Sequence, residues 1–159
     1  MSIQRLRIER DDLRSAEVVA FLSEHVAELR AVSPPGSSHA LHLDGLRAPG
    51  VSFWTAVGED GELLGCAALQ ELTPEHAELK SMRTATRHTR RGVASALLAR
   101  VLEEARAAGY ERVSLETGSF DFFAPARALY ARHGFTECAP FGGYRPDPAS
   151  TFMTLALGP

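Results

Sequence analysis

The spacing of apolar residues along the chain predicts an alternation of strands and helices. A period of two between apolar residues is typical of a half-buried strand, and spacings of three and four are typical of a helix with one buried face. In chain order the pattern predicts an edge strand at 3–9, a helix that ends near 30, a short helix at 39–47, strands at 51–57, 63–72 and 76–84, a helix at 94–108, a strand at 112–117, a short helix at 125–132, and strands at 135–138 and 152–157.

Turn-forming and capping residues separate these elements. Asp11 and Asp12 offer N-cap chemistry to the first helix. The Asp60-Gly61 pair predicts a hairpin, and Gly109 ends the long helix. Antiparallel strands followed by a β-α-β-α-β run predict an α/β fold of the α+β type. We expect one domain over 1–159, with a mixed, mostly antiparallel sheet of about seven strands and helices on both faces.

Composition narrows the functional classes. The chain has 159 residues, of which 45% are hydrophobic and 23% charged, as expected for one globular domain. Its net charge of −3 argues against a general nucleic-acid binder. No apolar run reaches the length of a membrane span, and the N-terminus lacks the apolar core of a signal peptide, so we expect a cytoplasmic protein without a membrane partner. Cys66 and Cys138 are then expected to be reduced and buried, since neither lies near an activating motif.

The segment between the strand at 76–84 and the helix at 94–108 has the features of an anion site. The first N–H groups of a helix have no intrahelical partner, and the helix dipole is positive there. Gly92 lets a phosphate approach the backbone closely, and Arg90 and Arg91 add positive charge. The segment lacks the further glycines of a dinucleotide fingerprint and the Gly-Lys-Ser/Thr of a P-loop. From these residues alone, a phosphate site and a solvated turn remain equal alternatives.

Two motifs, in this order, resemble the GNAT superfamily of acetyl-CoA-dependent N-acetyltransferases. The pyrophosphate loop of that family reads Gln/Arg-x-x-Gly-x-Gly/Ala, and Thr89, Gly92 and Ala94 occupy its defined positions. Thr89 departs from the usual Gln or Arg. Residues 125–135 resemble the family's Ala-x-x-Leu-Tyr-x-x-x-Gly-Phe signature, with Phe123 where an Asn often opens it. The order of elements matches over about two-thirds of the chain.

The resemblance implies direct transfer of an acetyl group from acetyl-CoA to a primary amine, in a ternary complex. The acceptor would be a small molecule or amino-acid-like, acetyl-CoA would be the co-substrate, and no metal would take part. A homodimer is compatible with this family, whereas nucleic acid and membrane are not expected partners. The departures at Thr89 and Phe123 leave open an alternative, which is a catalytically weak module of the same fold that binds CoA or another anion as a sensor or partner.

The resemblance also assigns the coenzyme-binding residues. The backbone at the end of the strand before the loop would pair with the pantetheine arm as an added strand, and the loop with the first helical turn would hold the pyrophosphate. In this chain these positions are Met82, Arg83, Thr84, Thr89, Arg90, Arg91, Gly92, Val93, Ala94 and Ser95. In this fold the strand at 76–84 separates from the strand at 112–117, and the thioester enters the gap.

Three residues are candidates for the proton transfers. Glu78 lies fourteen residues before Gly92, where some members of the family carry a catalytic glutamate. As a base it would accept the amine proton; the alternative is an exposed strand residue beside Lys80. Tyr130 would donate to the leaving thiolate, since a phenol with a pKa near ~10 is protonated at neutral pH; the alternative is a core tyrosine. Glu116 is a second carboxylate, as an acceptor ligand or alternative base, or a strand-end residue paired with an arginine.

The acceptor side is expected to have walls at 33–47 and 140–146. Its candidate residues are His39, His42 and Arg47, which would read an acidic acceptor, and Tyr144 and Arg145, which would close over it. The alternative for each is a surface loop residue.

Overall fold

The computed structural model describes residues 6–32, 43–84 and 92–158. In chain order these residues form β1 (Arg7–Arg10), α1 (Ala16–Val32), α2 (Leu43–Leu46), β2 (Val51–Val57), β3 (Leu63–Thr73), β4 (His76–Thr84), α3 (Val93–Ala107), β5 (Arg112–Gly118), a 3₁₀ turn (Asp121–Phe123), α4 (Ala124–Arg132), β6 (Thr136–Glu137) and β7 (Ser150–Ala156). Within these ranges no helix is both long enough and apolar enough to cross a bilayer.

The strands form one sheet of seven, in the order β1-β2-β3-β4-β5-β7-β6. Every neighbouring pair is antiparallel except β4 and β5, which are parallel and are connected through α3. A parallel pair needs a long crossover of this kind, because a tight turn reverses the chain direction. The prediction of a mixed, mostly antiparallel seven-stranded sheet is therefore confirmed.

Helices cover both faces of the sheet, and each face has its own apolar core. On the α3 face, side chains of α3 and α4, such as Leu97 and Leu129, pack with Trp54, Leu79 and Val113 of the strands. On the α1 face, the core joins α1 and α2 to the first half of the sheet through Val18, Leu22, Leu46, Phe53 and Ala68. Adjacent β4 residues alternate between the two faces, as a period of two requires.

The predicted elements are all present, and their ends differ from the prediction by a few residues. The strands at 51–57 and 76–84 have the predicted bounds. The last strand pair differs most, because β6 is only two residues long and β7 begins at Ser150. Residues 3–5 of the predicted first strand and 39–42 of the predicted second helix lie outside the described residues.

The capping role predicted for Asp11 and Asp12 was wrong, because Ser15 caps α1 instead. Ser15 Oγ accepts a hydrogen bond from the Val18 N–H at 3.1 Å. The two aspartates each accept from the N–H two residues further on, at 2.7 and 3.2 Å. This is an Asx turn, in which a short carboxylate competes for backbone donors before the helix begins.

The ends of β4 and β5 diverge because of a bulge in β4. Parallel pairing extends from His76 opposite Arg112 to Leu79 opposite Leu115. On the β3 side, the register shifts, because β4 has two residues between Lys80 and Arg83 where β3 has one between Cys66 and Ala68. Ser81 in this stretch has a φ of 53°, which a residue with a side chain rarely adopts. A bulge bends its strand and increases its twist, so β4 turns away from β5 and leaves a gap beyond Leu79.

Candidate active site

Gly92 begins α3 in a conformation that favours glycine. Its φ of 78° and ψ of 3° are left-handed, and its carbonyl accepts the Ala96 N–H at 3.0 Å. A Cβ placed on Gly92 would have no atom within 4 Å among the described residues, so the backbone faces open space. The N–H groups of the first turn, from Val93 to Ser95, precede the first intrahelical bonds and are available to an anion. The other loop positions, Thr89, Arg90 and Arg91, lie outside the described residues.

The first turn of α3 is also tied to the end of α4. Ser95 Oγ lies 2.9 Å from Nε2 of His133, the residue that follows α4. This hydrogen bond fixes the distance between the two helices on the α3 face.

The end of β4 has side chains on both faces of the sheet. Met82 packs against the α3-face core, whereas the Arg83 guanidinium lies 5.3 Å from the ring centroid of Phe21 on α1. Thr84 Oγ1 is buried and has no hydrogen-bond partner among the described residues. A buried hydroxyl without a partner costs free energy, so a polar ligand atom at this position would remove that cost.

Glu78 is buried at the point where β4 and β5 begin to separate. Its exposed fraction is 3%, so the alternative of an exposed strand residue is wrong. The Tyr144 hydroxyl donates a hydrogen bond to its Oε2 at 2.5 Å, and Lys80 Nζ lies 3.6 Å from the same oxygen. Burial raises the pKa of the Glu78 carboxyl; the Tyr144 hydrogen bond and the Lys80 charge oppose this rise, and the Glu116 charge adds to it. A buried carboxyl with a raised pKa in a cleft is typical of a general base.

Glu116 lies on the same face as Glu78, just beyond the part of β5 that pairs with β4. Ser114 is the register partner of Glu78, and Glu116 follows it by two residues, so both side chains are on the α1 face. Its carboxylate accepts a hydrogen bond from Ser150 Oγ at 2.6 Å. Two carboxylates therefore border the gap, one buried and one partly exposed.

Tyr130 lies on the opposite face of the sheet from Glu78. It is a buried residue of α4 within the α3-face core, and its ring packs edge to face on Phe135 at 5.8 Å. Burial raises the pKa of its phenol, so the hydroxyl is protonated at neutral pH. The gap between β4 and β5 thus separates a carboxylate on one face from a phenol on the other.

A match to a known protein family identifies the family of this chain. The sequence model of the Acetyltransferase (GNAT) family matches residues 17–135 of this chain. The chain belongs to the GNAT family. It is therefore an acetyltransferase, and its sheet, split at β4 and β5, is the fold of that family.

Relatives and solved structures agree with the family assignment. The uncharacterized N-acetyltransferase YsnE of Bacillus subtilis (strain 168) is 50% identical over 152 residues, which cover 96% of this chain and 100% of that protein. An IAA acetyltransferase of Azospirillum brasilense is 36% identical over 153 residues, covering 94% and 97%. A crystal structure from Klebsiella pneumoniae, assigned as an acyl-CoA N-acyltransferase, has a TM-score of 0.79 at 26% identity and covers 96% and 97%.

One departure from the GNAT signature has a structural cause. Phe123, at the position where an Asn often opens the signature, precedes α4 and packs its ring against Gly118 at the end of β5. A Cβ on Gly118 would lie 2.0 Å from that ring, so the phenylalanine requires a glycine opposite it.

A hydrogen-bond network next to Glu78 was not predicted from the sequence. His76 Nε2 lies 2.7 Å from Ser114 Oγ, which lies 2.8 Å from Thr154 Oγ1, and Arg112 donates to the same threonine at 2.9 Å. Burial, followed by the Arg112 charge, lowers the pKa of the His76 imidazole. The four residues of the network come from three strands, so no local sequence signal links them all.

The predicted acceptor walls are only partly described. His39 and His42 lie outside the described residues. The Arg47 guanidinium donates to the Leu13 carbonyl at 2.5 Å, so this side chain links the residue after α2 to the segment before α1. Arg145 is exposed, and Tyr144 covers Glu78. Of the proposed acceptor residues in the described ranges, Tyr144 therefore lies closest to the carboxylate.

The two cysteines form no disulfide, and the environment of Cys66 makes it unsuited to act as a nucleophile. Both are free, and Cys66 is buried as expected, whereas the expected burial of Cys138 is wrong because that residue is partly exposed. Cys66 Sγ donates to the Ser81 carbonyl at 3.2 Å, and burial raises the pKa of its thiol to about 12. A thiol at this pKa is not ionised at neutral pH and is a poor nucleophile.

Proposed function

We propose that this GNAT acetyltransferase moves the acetyl group of acetyl-CoA to the primary amine of a small molecule or amino-acid-like acceptor, by direct transfer in a ternary complex. One domain, spanning the chain, would carry the reaction. The observation that carries the proposal is the buried Glu78 carboxylate at the gap between β4 and β5, with Tyr130 on the other face. In this proposal, the acceptor amine would approach from the Glu78 face of the sheet and the leaving sulfur would face Tyr130.

The coenzyme side of the site is supported by three features. Gly92 presents an open left-handed turn at the start of α3, where the first-turn N–H groups suit a pyrophosphate. The backbone of β4 beyond Leu79 has no register partner on β5 among the described residues and can take up an extended pantetheine arm. Thr84 adds a buried hydroxyl in need of a partner. The coenzyme supplies the activated acetyl thioester.

The acceptor side is supported by the chemistry that the amine requires. A lysine-type amine has a pKa near ~10.4 and must lose a proton before it attacks. Glu78 would take that proton, directly or through water, so that the neutral amine attacks the thioester carbonyl. The new C–N bond then forms, the C–S bond breaks, and the nitrogen loses its second proton to solvent. The sulfur keeps the electron pair of the C–S bond, and the Tyr130 hydroxyl would donate to it. Glu116 would orient the acceptor. Lys80 lies on the same face, and its positive charge would attract the carboxylate of an amino-acid-like acceptor.

The proposal is tested by the release of free thiol from acetyl-CoA in the presence of a panel of amines. The panel should contain amino acids, polyamines and aromatic amines, together with IAA, because one relative bears that acceptor in its name. We expect turnover with at least one amine and the acetylated amine by mass spectrometry. Binding of acetyl-CoA without turnover on any acceptor would contradict the proposal and favour a sensor module of the same fold.

Replacing Gly92 with valine should weaken acetyl-CoA binding at least tenfold, or about 1.4 kcal/mol. A β-branched residue is strained at a φ of 78°, and its side chain would occupy the open space in front of the first turn of α3. The measurement is coenzyme affinity by calorimetry. Gly109→Val is a matched control, since Gly109 is also left-handed and open but lies at the far end of α3. Equal affinities for wild type and a folded Gly92→Val protein would show that the pyrophosphate binds elsewhere.

A further inference from the structure

We propose that Tyr144 is a positioning residue for acetyl transfer, whose hydroxyl holds the Glu78 carboxylate in place and stabilises its ionised form. The inference rests on the proposed function, in which Glu78 accepts the amine proton. It is carried by the 2.5 Å hydrogen bond between two residues that are 66 positions apart in the chain. Neither of the two family motifs found in the sequence contains this tyrosine, which comes from the connection between β6 and β7.

Contacts within the β6–β7 connection and with β7 hold the Tyr144 side chain over the sheet. The Tyr144 N–H donates to the Phe141 carbonyl at 3.1 Å, and Gly142 in this turn has a φ of 56°. The Tyr144 ring lies 5.2 Å from the Phe141 ring and 5.4 Å from the Phe152 ring of β7. These aromatic contacts hold the ring in the position from which its hydroxyl donates to the Glu78 carboxylate.

The groups around Glu78 indicate that the Tyr144 hydroxyl stabilises the ionised Glu78 carboxylate. On β4 the carboxyl is flanked by Lys80 and by His76, β5 contributes Glu116, and the connection contributes Tyr144. Burial raises the pKa of Glu78, and hydrogen-bond donation from Tyr144 is the largest effect that opposes it. A donor stabilises the charged form of a carboxyl, because the ionised oxygen is the stronger acceptor.

Tyr144 can act as this donor over the whole working range of pH. Burial raises the pKa of its phenol, and the hydrogen bond to Glu78 raises it further. The phenol therefore stays protonated while Glu78 titrates. Loss of the hydroxyl should make Glu78 harder to ionise, so that the protein needs a higher pH before the base is available.

The test is the pH dependence of kcat for Tyr144→Phe, which keeps the aromatic ring and removes only the donor. We expect the acid limb of the profile to move up by about one pH unit, so that kcat on the acid side falls about tenfold while kcat on the alkaline plateau stays near wild type. Tyr110→Phe is the matched control. Tyr110 donates to Glu71 at 3.0 Å in an exposed pair. Glu71 is the register partner of Ala77, so this pair lies on the opposite face of the sheet from Glu78, and loss of the Tyr110 hydroxyl should leave the profile unchanged.

A second measurement follows Glu78 without turnover. The carboxyl carbon of Glu78, observed by NMR in glutamate-labelled protein, should titrate at higher pH in Tyr144→Phe than in wild type. If Glu78→Gln removes the acid limb but Tyr144→Phe leaves both the limb and the titration where they were, Tyr144 only packs and the inference is wrong. If the wild-type limb does not depend on Glu78, the inference falls together with the proposed base.

Discussion

Replacing Tyr130 with phenylalanine is expected to lower turnover by about ten- to a hundredfold and to leave the affinity for acetyl-CoA within a few fold. The hydroxyl would act on the sulfur only as the C–S bond breaks, so its loss affects the transition state and not the bound ground state. The ring packing on Phe135 is retained in the variant, so the fold should persist. The measurements are kcat at saturating substrates and the dissociation constant of the coenzyme.

Because the Tyr130 hydroxyl is buried, we expect the loss of turnover in Tyr130→Phe to be closer to tenfold than to a hundredfold. A thiol such as that of cysteine has a pKa near ~8.5, and the pKa of the Tyr130 phenol is raised above its usual ~10. Complete proton transfer from this phenol to a thiolate is therefore uphill, and the hydroxyl contributes mainly a hydrogen bond to the developing charge. Tyr110→Phe, remote from the gap, is the control. Wild-type turnover in Tyr130→Phe would assign Tyr130 to packing alone.

The strands of this fold were predictable because each carries a repeating pattern that depends only on nearby residues. In β4, Ala77 and Leu79 face one core while Glu78 and Lys80 face the other side, and this alternation is visible in the sequence. The bulge at Ser81 was not predictable, since it contains no glycine and adopts a positive φ that a serine rarely takes. The gap that this bulge opens was expected from the family resemblance and not from periodicity.

For the candidate site, the sequence predicted which residues take part but not their surroundings. Glu78 and Tyr130 were found by their positions in family patterns, which identify a residue but not its surroundings. The burial of Glu78 and its bond to Tyr144 result from tertiary contacts over 66 positions, and the network of His76 and Ser114 depends on strand register. Sequence patterns cannot give such contacts, because strand pairing and the path of a long connection are set by the whole fold. The same surroundings decide how strongly Glu78 acts as a base.

Replacing Glu78 with glutamine should lower kcat at neutral pH by a hundredfold or more, the scale expected for the loss of a general base. The amide keeps the size of the carboxyl but cannot accept a proton. Because burial raises the pKa of Glu78, the wild-type rate should rise with pH through a limb above the ordinary carboxyl range. In the variant this limb disappears, and turnover should recover only toward high pH, where more of an amine with a pKa near ~10.4 is already neutral.

Glu116→Gln separates the two carboxylates, because the charge of Glu116 raises the pKa of Glu78. Removing this charge should keep the limb and move it to lower pH, opposite to the shift expected for Tyr144→Phe. The measurement is the full pH profile of kcat for wild type and both glutamine variants with one acceptor. If the limb vanished in Glu116→Gln and survived in Glu78→Gln, the base would be Glu116. If both variants kept the wild-type profile, the amine would lose its proton to bulk water, and the buried Glu78 would serve only to hold Lys80 and Tyr144.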